Sequence, residues 1–253
     1  MKKTRIISRL DIKNNFVIKG IHLEGLRKVG DPNELAIKYY NEGIDEIILM
    51  DAVAAYYDRN SLTEIVKKTC FDVFVPITVG GGIRKIDDIQ IALNAGADKI
   101  AINTQAVREP NFIKQASKVF GSQSIVASID AKKRTDETWE AYTDNGREPT
   151  GKDVIDWAKE LESLGAGEIM LTSIDKEGTK RGFDIELNKQ VSKSINIPII
   201  SCGGAGSSND VSQLILNTDI DAVAIASILH YDILEIYRLK EYLNDHDEIN
   251  VRL

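Results

Sequence analysis

Residues 6–13 read IISRLDIK, and residues 125–132 read IVASIDAK. Each is an apolar, β-branched run that closes on an aspartate, and Asp11 falls on Asp130 when one is laid over the other. A run this nearly continuous suits a parallel strand covered on both faces. Further runs of the same kind follow at residues 46–51, 73–79, 99–103, 168–173, 197–202 and 221–226, which makes eight. Most are separated by stretches of helical period. Asp31-Pro32 places a cap ahead of a proline at the first helical position, and Asp87, Asp184 and Ser208 are candidate caps for other helices. Spread over 253 residues, eight units average about 32 residues, close to the roughly 30 of a βαβ repeat. Strict alternation without a break in composition predicts an α/β fold with a single closed (β/α)8 TIM barrel.

A second regularity sits above the first. EGIDEIIL at 42–49 resembles LGAGEIML at 164–171, VPITVGGG at 75–82 resembles IPIISCGG at 197–204, and DKIAINT at 98–104 resembles DAVAIAS at 221–227. Four strands repeat in order at a spacing of about half the chain, which predicts two half-barrels, about 1–121 and 122–253, rather than a solenoid of short repeats. A site at the top of one half should then have a related copy in the other. Two connections are long for such a fold: residues 14–30, with Lys19, three glycines and no helical pattern, and residues 132–150, where WEAYT at 139–143 and the turn Asp144-Asn145-Gly146 predict a hairpin.

Composition excludes several classes. Acidic residues outnumber basic ones 39 to 32, for a net charge of −7, and the Lys and Arg are dispersed, so no nucleic-acid partner is expected. No stretch reaches the ~20 apolar residues of a membrane span, so no membrane association is expected. The basic segment 1–9 is not followed by an apolar run of signal-peptide length, and Cys70 and Cys202 lack metal-ligand company; a cytoplasmic protein with reduced thiols is expected. Cys202 reads as a buried small hydrophobe, His22 and His230 as structural, and the pairs Tyr39-Tyr40 and Tyr56-Tyr57 as packing or interface residues.

The chemistry follows from strand ends. In a (β/α)8 barrel the carboxyl ends of the strands face the active site. Asp11 and Asp130 hold that position on strands one and five, and two carboxylates on facing walls of one cavity suit general acid and base work. The turns TVGGGIR at 78–84 and SCGGAG at 201–206 bring consecutive glycine amides to the same rim, next to Asn103-Thr104 and Ala226-Ser227 respectively. Two equivalent phosphate cradles are implied, matching a ligand with a phosphate at each end. At the opposite end, Arg5, Glu46, Lys99 and Glu168 read from charge pattern alone as a solvated rim, with a closed ring of ion pairs as the alternative.

LDIK near the start, VGGGIR, GADKIAINT, GSQSIVASIDAK, PTGKDVIDWAKELESLGAGEIMLTSIDKEGTKRGFD and SCGGAG, in this order across nearly the whole chain, resemble the cyclase subunit of imidazole glycerol phosphate synthase. The resemblance implies an ammonia-dependent lyase of histidine biosynthesis, without cofactor or metal, paired with a glutaminase subunit in a heterodimer. Ammonia would enter at the floor and react at the top with a phosphoribulosyl-formimino aminoimidazole carboxamide ribonucleotide, giving imidazole glycerol phosphate and aminoimidazole carboxamide ribonucleotide. By position, Asp11 and Asp130 match the family's acid/base pair, and Lys19 lies in its closing loop. Gly82, Asn103 and Thr104 match one phosphate site; Gly178, Gly204, Ala226 and Ser227 match the other. Asp51 and Thr172 would line the cavity, Asp98 would support the glutaminase interface, and Arg5, Glu46, Lys99 and Glu168 match an ammonia gate. Ser8-Arg9 stands where the family usually has Pro-Cys, and AVAAYYDR follows Asp51 in place of the usual Thr, Ser and charged residues. Two alternatives stay open at this level: a paralogue using ammonia for acetamidino modification of a surface-polysaccharide sugar, and a non-catalytic barrel that activates the glutaminase.

Overall fold

The computed structural model describes residues 3–53 and 62–252. Its strands run β1 (Arg5–Lys13), β2 (Phe16–Ile21), β3 (Glu24–Gly30), β4 (Glu46–Asp51), β5 (Ile77–Gly80), β6 (Lys99–Ile102), β7 (Ile125–Lys133), β8 (Trp139–Thr143), β9 (Glu148–Asp153), β10 (Glu168–Ser173), β11 (Ile199–Cys202) and β12 (Ala222–Ile225). Eight of them pair in parallel in the order β1, β4, β5, β6, β7, β10, β11, β12, and β12 pairs back to β1, which closes the barrel. All eight predicted runs are barrel strands. Prolines set the start of two of them: Pro76 and Pro198 have no amide hydrogen for the ladder, so β5 and β11 begin at the following residue. The carbonyls of those prolines still accept from Ile47 N (3.0 Å) and Ile169 N (2.9 Å), at matching places in the two halves.

The period of two along each strand sorts side chains between two cores. Outward residues pack under the helices in one continuous cluster that includes Ile6, Leu10, Ile47, Leu49, Ile125 and Ile169. Inward residues Ile7, Ile48, Ala101, Val126, Met170, Ile200, Cys202, Ala222 and Ala224 fill the lumen, so the barrel is plugged rather than open. Two carboxylate contacts repeat across the halves here as well: Asp98 Oδ2 accepts from Ile77 N at 2.8 Å, and Asp221 Oδ2 from Ile199 N at 2.9 Å.

Two of the four candidate caps, Asp31 and Asp184, cap their helices. Asp31 accepts from Asn33 N (2.9 Å) and Glu34 N (3.1 Å), and Asp184 accepts from Leu187 N (3.1 Å). Ser207, not Ser208, caps the helix Ser208–Asn217, its hydroxyl accepting from Asp210 N. Asp87 lies inside the helix Ile86–Asn94, and it is Asp88 that reaches back to the amides of Arg84 and Lys85. In both cases several oxygen-bearing residues stand in a row, and the backbone turn selects among them.

The long connections are both β-structure. Residues 139–153 form the predicted hairpin, which extends β7, with Asp144, Asn145 and Gly146 all at positive φ in its turn. The connection after β1 carries β2 and β3, a bulged antiparallel hairpin that folds over the mouth of the barrel. Its far end is tied down by His22, whose backbone N donates to Glu177 O (2.8 Å) and whose Nδ1 lies 2.9 Å from Ile174 O. Tyr39 is buried under His230, as a packing residue, and Tyr40 meets Phe74 edge-on. Tyr56 and Tyr57 lie outside the described residues.

Candidate active site

The inward face of β1 reads Arg5, Ile7, Arg9, Asp11 from floor to mouth. Asp11 and Asp130 are both buried, at 6% exposure, on the walls of the upper lumen, as predicted from their strand ends. Between them stands Arg9, 4% exposed, whose Nε donates to Asp11 Oδ1 at 2.9 Å and whose Nη1 donates to Thr172 Oγ1 at 2.9 Å. Lys19, brought in by the hairpin, lies with Nζ 3.7 Å from Asp11 Oδ2 and ion-pairs with Glu177. Asp130 Oδ2 accepts from the neutral amide of Asn103 at 3.0 Å, and the same Asn103 amide nitrogen donates to Tyr142 O at 3.0 Å.

These surroundings divide two chemically identical groups. Burial works against both carboxylates, but Arg9 and then Lys19 outweigh it at Asp11 and bring its pKa below the usual value. At Asp130 burial prevails, the nearby Asp11 charge adds to it, and the pKa rises to about 6 despite Arg9 and Asn103. Burial also lowers the pKa of Lys19, and it brings that of His230 down to about 4, so that this imidazole is neutral near pH 7. His230 stacks on Tyr39, whose hydroxyl is 2.8 Å from Nδ1. Burial raises the Cys202 thiol, in keeping with a small apolar lumen residue rather than a nucleophile.

Two cavities open from this centre. One is lined by Arg9, Asp51, Gly82, Asn103, Thr104 and Asp130; the other by Arg9, Gly178, Gly203, Gly204, Ala226 and Ser227. The structure therefore brings together every residue predicted for each cradle, and Asp51 with the first of them. Thr172 sits at the centre rather than on either rim, bonded to Arg9. Gly204 shows why glycine is needed: at φ +118, an added Cβ would lie 2.2 Å from Gly182 O. A further opening beside the second cradle is lined by Lys19, Arg27, Gly178, Lys180, Ser227 and Tyr231, which gives that side three cations.

At the other end of the strands the four charged residues form a closed ring, not a solvated rim. Glu46 accepts from Arg5 Nη1 (2.6 Å) and Lys99 Nζ (3.1 Å), and Glu168 accepts from Arg5 and from Lys99 Nζ (3.0 Å). Asp98 lies just before this ring with its carboxylate turned to Ile77 N. Arg9 and Glu177 were not assigned from sequence. The signal for Arg9 was present, since two places before Asp11 on a strand is the same face; Glu177 comes from a loop about 160 positions from its partner Lys19 and had none. Among the described residues, no group of three or more His, Cys, Asp or Glu side chains is placed to hold a metal, and no helix is long and apolar enough to cross a membrane.

Residues 5–235 match the family model described as histidine biosynthesis protein. The chain is 46% identical to the imidazole glycerol phosphate synthase subunit HisF of Hydrogenobaculum sp. over the whole of both chains. It is 58% identical to the protein of that name from Legionella pneumophila over 206 residues, which is 81% of this chain and 97% of that one. To its namesake from Alkaliphilus metalliredigens it is 43% identical over 243 residues, 96% of each.

Proposed function

The chain belongs to the histidine biosynthesis protein family as an enzyme of the imidazole glycerol phosphate synthase type, and from that premise we propose that Asp11 and Asp130 are the acid/base pair of its cyclase reaction. The observation that carries this reading is the pair itself: two buried carboxylates at the mouth of the barrel, in surroundings that drive their pKa values apart. One group supplies a proton to the carbonyl or leaving oxygen of the phosphoribulosyl-formimino substrate. The other removes protons from the attacking amine and from the carbon that closes the ring. The doubled glycine loops support a ligand with a phosphate at each end, one in the Gly82–Asn103–Thr104 cradle and one in the Gly178–Gly204–Ala226–Ser227 cradle. With the chain at −7, long-range attraction is weak help, so backbone amides and local cations such as Lys19 must supply the affinity.

Ammonia is the second reactant. A glutaminase subunit docked at the floor, near Asp98, would deliver it to the ring of Arg5, Glu46, Lys99 and Glu168, and its passage to the mouth would require that ring and the apolar side chains above it to part transiently. The direct test uses purified protein, ammonium salt and the formimino ribonucleotide, with imidazole glycerol phosphate as the product to be found. Asp11→Asn and Asp130→Asn are each expected to lower turnover by about two orders of magnitude or more. Near-wild-type turnover in either variant would remove that residue from the pair.

A further inference from the structure

The two carboxylates differ in the company they keep, and Arg9 is bonded directly to Asp11. Arg9 crosses the upper lumen from β1 to β10, with Nε on Asp11 and Nη1 on Thr172, which is the register partner of Asp130. Asp11 therefore has cations on two sides, Arg9 from its own strand and Lys19 from the hairpin, while Asp130 is bonded to the uncharged amide of Asn103. Arg9 also lines both cavities, so its charge stands midway between the two glycine cradles.

We propose that Arg9 is a positioning residue of the reaction: clamped between Asp11 and Thr172, its guanidinium holds Asp11 as the carboxylate that accepts protons and leaves Asp130 as the acid that donates them. This rests on the reading of Asp11 and Asp130 as the catalytic pair. A guanidinium is suited to the task because it stays charged when buried and its rigid fork can bond a carboxylate and a hydroxyl at once. Of the other ionisable groups around this centre, Lys19 adds to the effect from 3.7 Å but is not bonded to Asp11 as Arg9 is. Lys19 is shared with Glu177, Cys202 is a buried thiol, and His230 is neutral near pH 7. The charge environments agree: burial raises both carboxylates, and only at Asp11 do the adjacent cations reverse it.

The test compares Arg9→Met and Arg9→Lys with the wild type in ammonium-driven kcat/KM from about pH 5.5 to 8.5. Taking the ratio to wild type at each pH cancels the titration of ammonia itself. Loss of the guanidinium lets the pKa of Asp11, and that of Asp130, rise. The Arg9→Met ratio is therefore expected to fall about tenfold or more between pH 8 and pH 6, one pKa unit being a factor of ten; Arg9→Lys, which keeps the charge, is expected to stay much flatter. A flat ratio for Arg9→Met overturns the proposal and leaves Arg9 a packing residue. Carboxylate 13C titration of aspartate-labelled protein reads the same point without turnover and without any Arg9 variant. In the wild type the Asp11 signal, identified by its loss in Asp11→Asn, is expected to titrate well below that of Asp130, and the reverse order overturns the proposal. Full turnover in Asp11→Asn or Asp130→Asn would instead bring down the catalytic reading, whatever the order of titration.

Discussion

Asp130 holds a position that suits chemistry better than stability. Its folded-state pKa of about 6 lies above the ordinary 3.8, so the native state binds this proton more tightly than the unfolded chain does. The group's contribution is most favourable below about pH 4 and is lost as pH rises through 6, where a buried charge must be carried. Asp130→Asn is accordingly expected to stabilise the fold at pH 8, by roughly 1–3 kcal/mol for a shift of this size, with the gain fading toward pH 4. Thermal unfolding of the variant at the two pH values checks both sign and trend. Asp11 has the opposite sign: its lowered pKa adds stability above the ordinary carboxylate range that is lost on acidification. Asp11→Asn strands Arg9 without its partner in the lumen and should lower the melting temperature at pH 8. Both aspartates were legible in the sequence because each closes an apolar run. The difference between them was not, because it comes from Arg9, Lys19 and Asn103, which tertiary structure gathers from β1, β2 and the turn after β6.

The hairpin of β2 and β3 covers the mouth of the barrel. Lys19 points down from it into the site, buried at 4% exposure, and Gly20 packs on the loop after β10. At Gly178, φ is +73 and an added Cβ would lie 2.1 Å from Gly20 O, so Gly178→Ala cannot keep the present contact. The expected result is a hairpin that no longer seats Lys19 and a KM raised by about tenfold or more, in line with the cost of lost positioning. Steady-state kinetics measures the second effect, and faster amide exchange across residues 16–30 measures the first. This hairpin was hidden in the sequence for a physical reason. Register shifts at Val17/Ile18 and Lys19/Ile21 break the alternation that marks a strand pair, and the inward position of Lys19 is filled by a charge. The hairpin of β8 and β9 was readable because Trp139–Thr143 alternates between buried and half-buried positions and ends in a three-residue turn at positive φ.

At the scale of the whole molecule the two ends of the barrel are separate devices joined by the plugged lumen. Lys99→Met removes one cation from the floor ring and leaves Glu46 and Glu168, both nearly buried, with Arg5 alone. A loss of stability is expected, detectable as a lower melting temperature, while ammonium-driven kcat/KM should stay within about a factor of two because additivity holds between distant sites. A large fall in ammonium-driven turnover would mean that the ends are coupled through the lumen. The twofold repeat, read from paired motifs in the chain, reappears in the structure as Asp98 and Asp221 bonding to Ile77 and Ile199, and as proline before both of those strands. Those features were legible because they repeat locally. Closure of the ion-pair ring was not legible from charge pattern, since it depends on barrel curvature bringing four strands together. The inward row of β1 has a further consequence. Arg5, Ile7, Arg9 and Asp11 occupy one phase of a two-residue period, so one strand supplies a member of the floor ring, the lumen plug and the active centre. Deleting any one residue between Arg5 and Asp11 would invert that phase, turning one end of the row outward toward the helices.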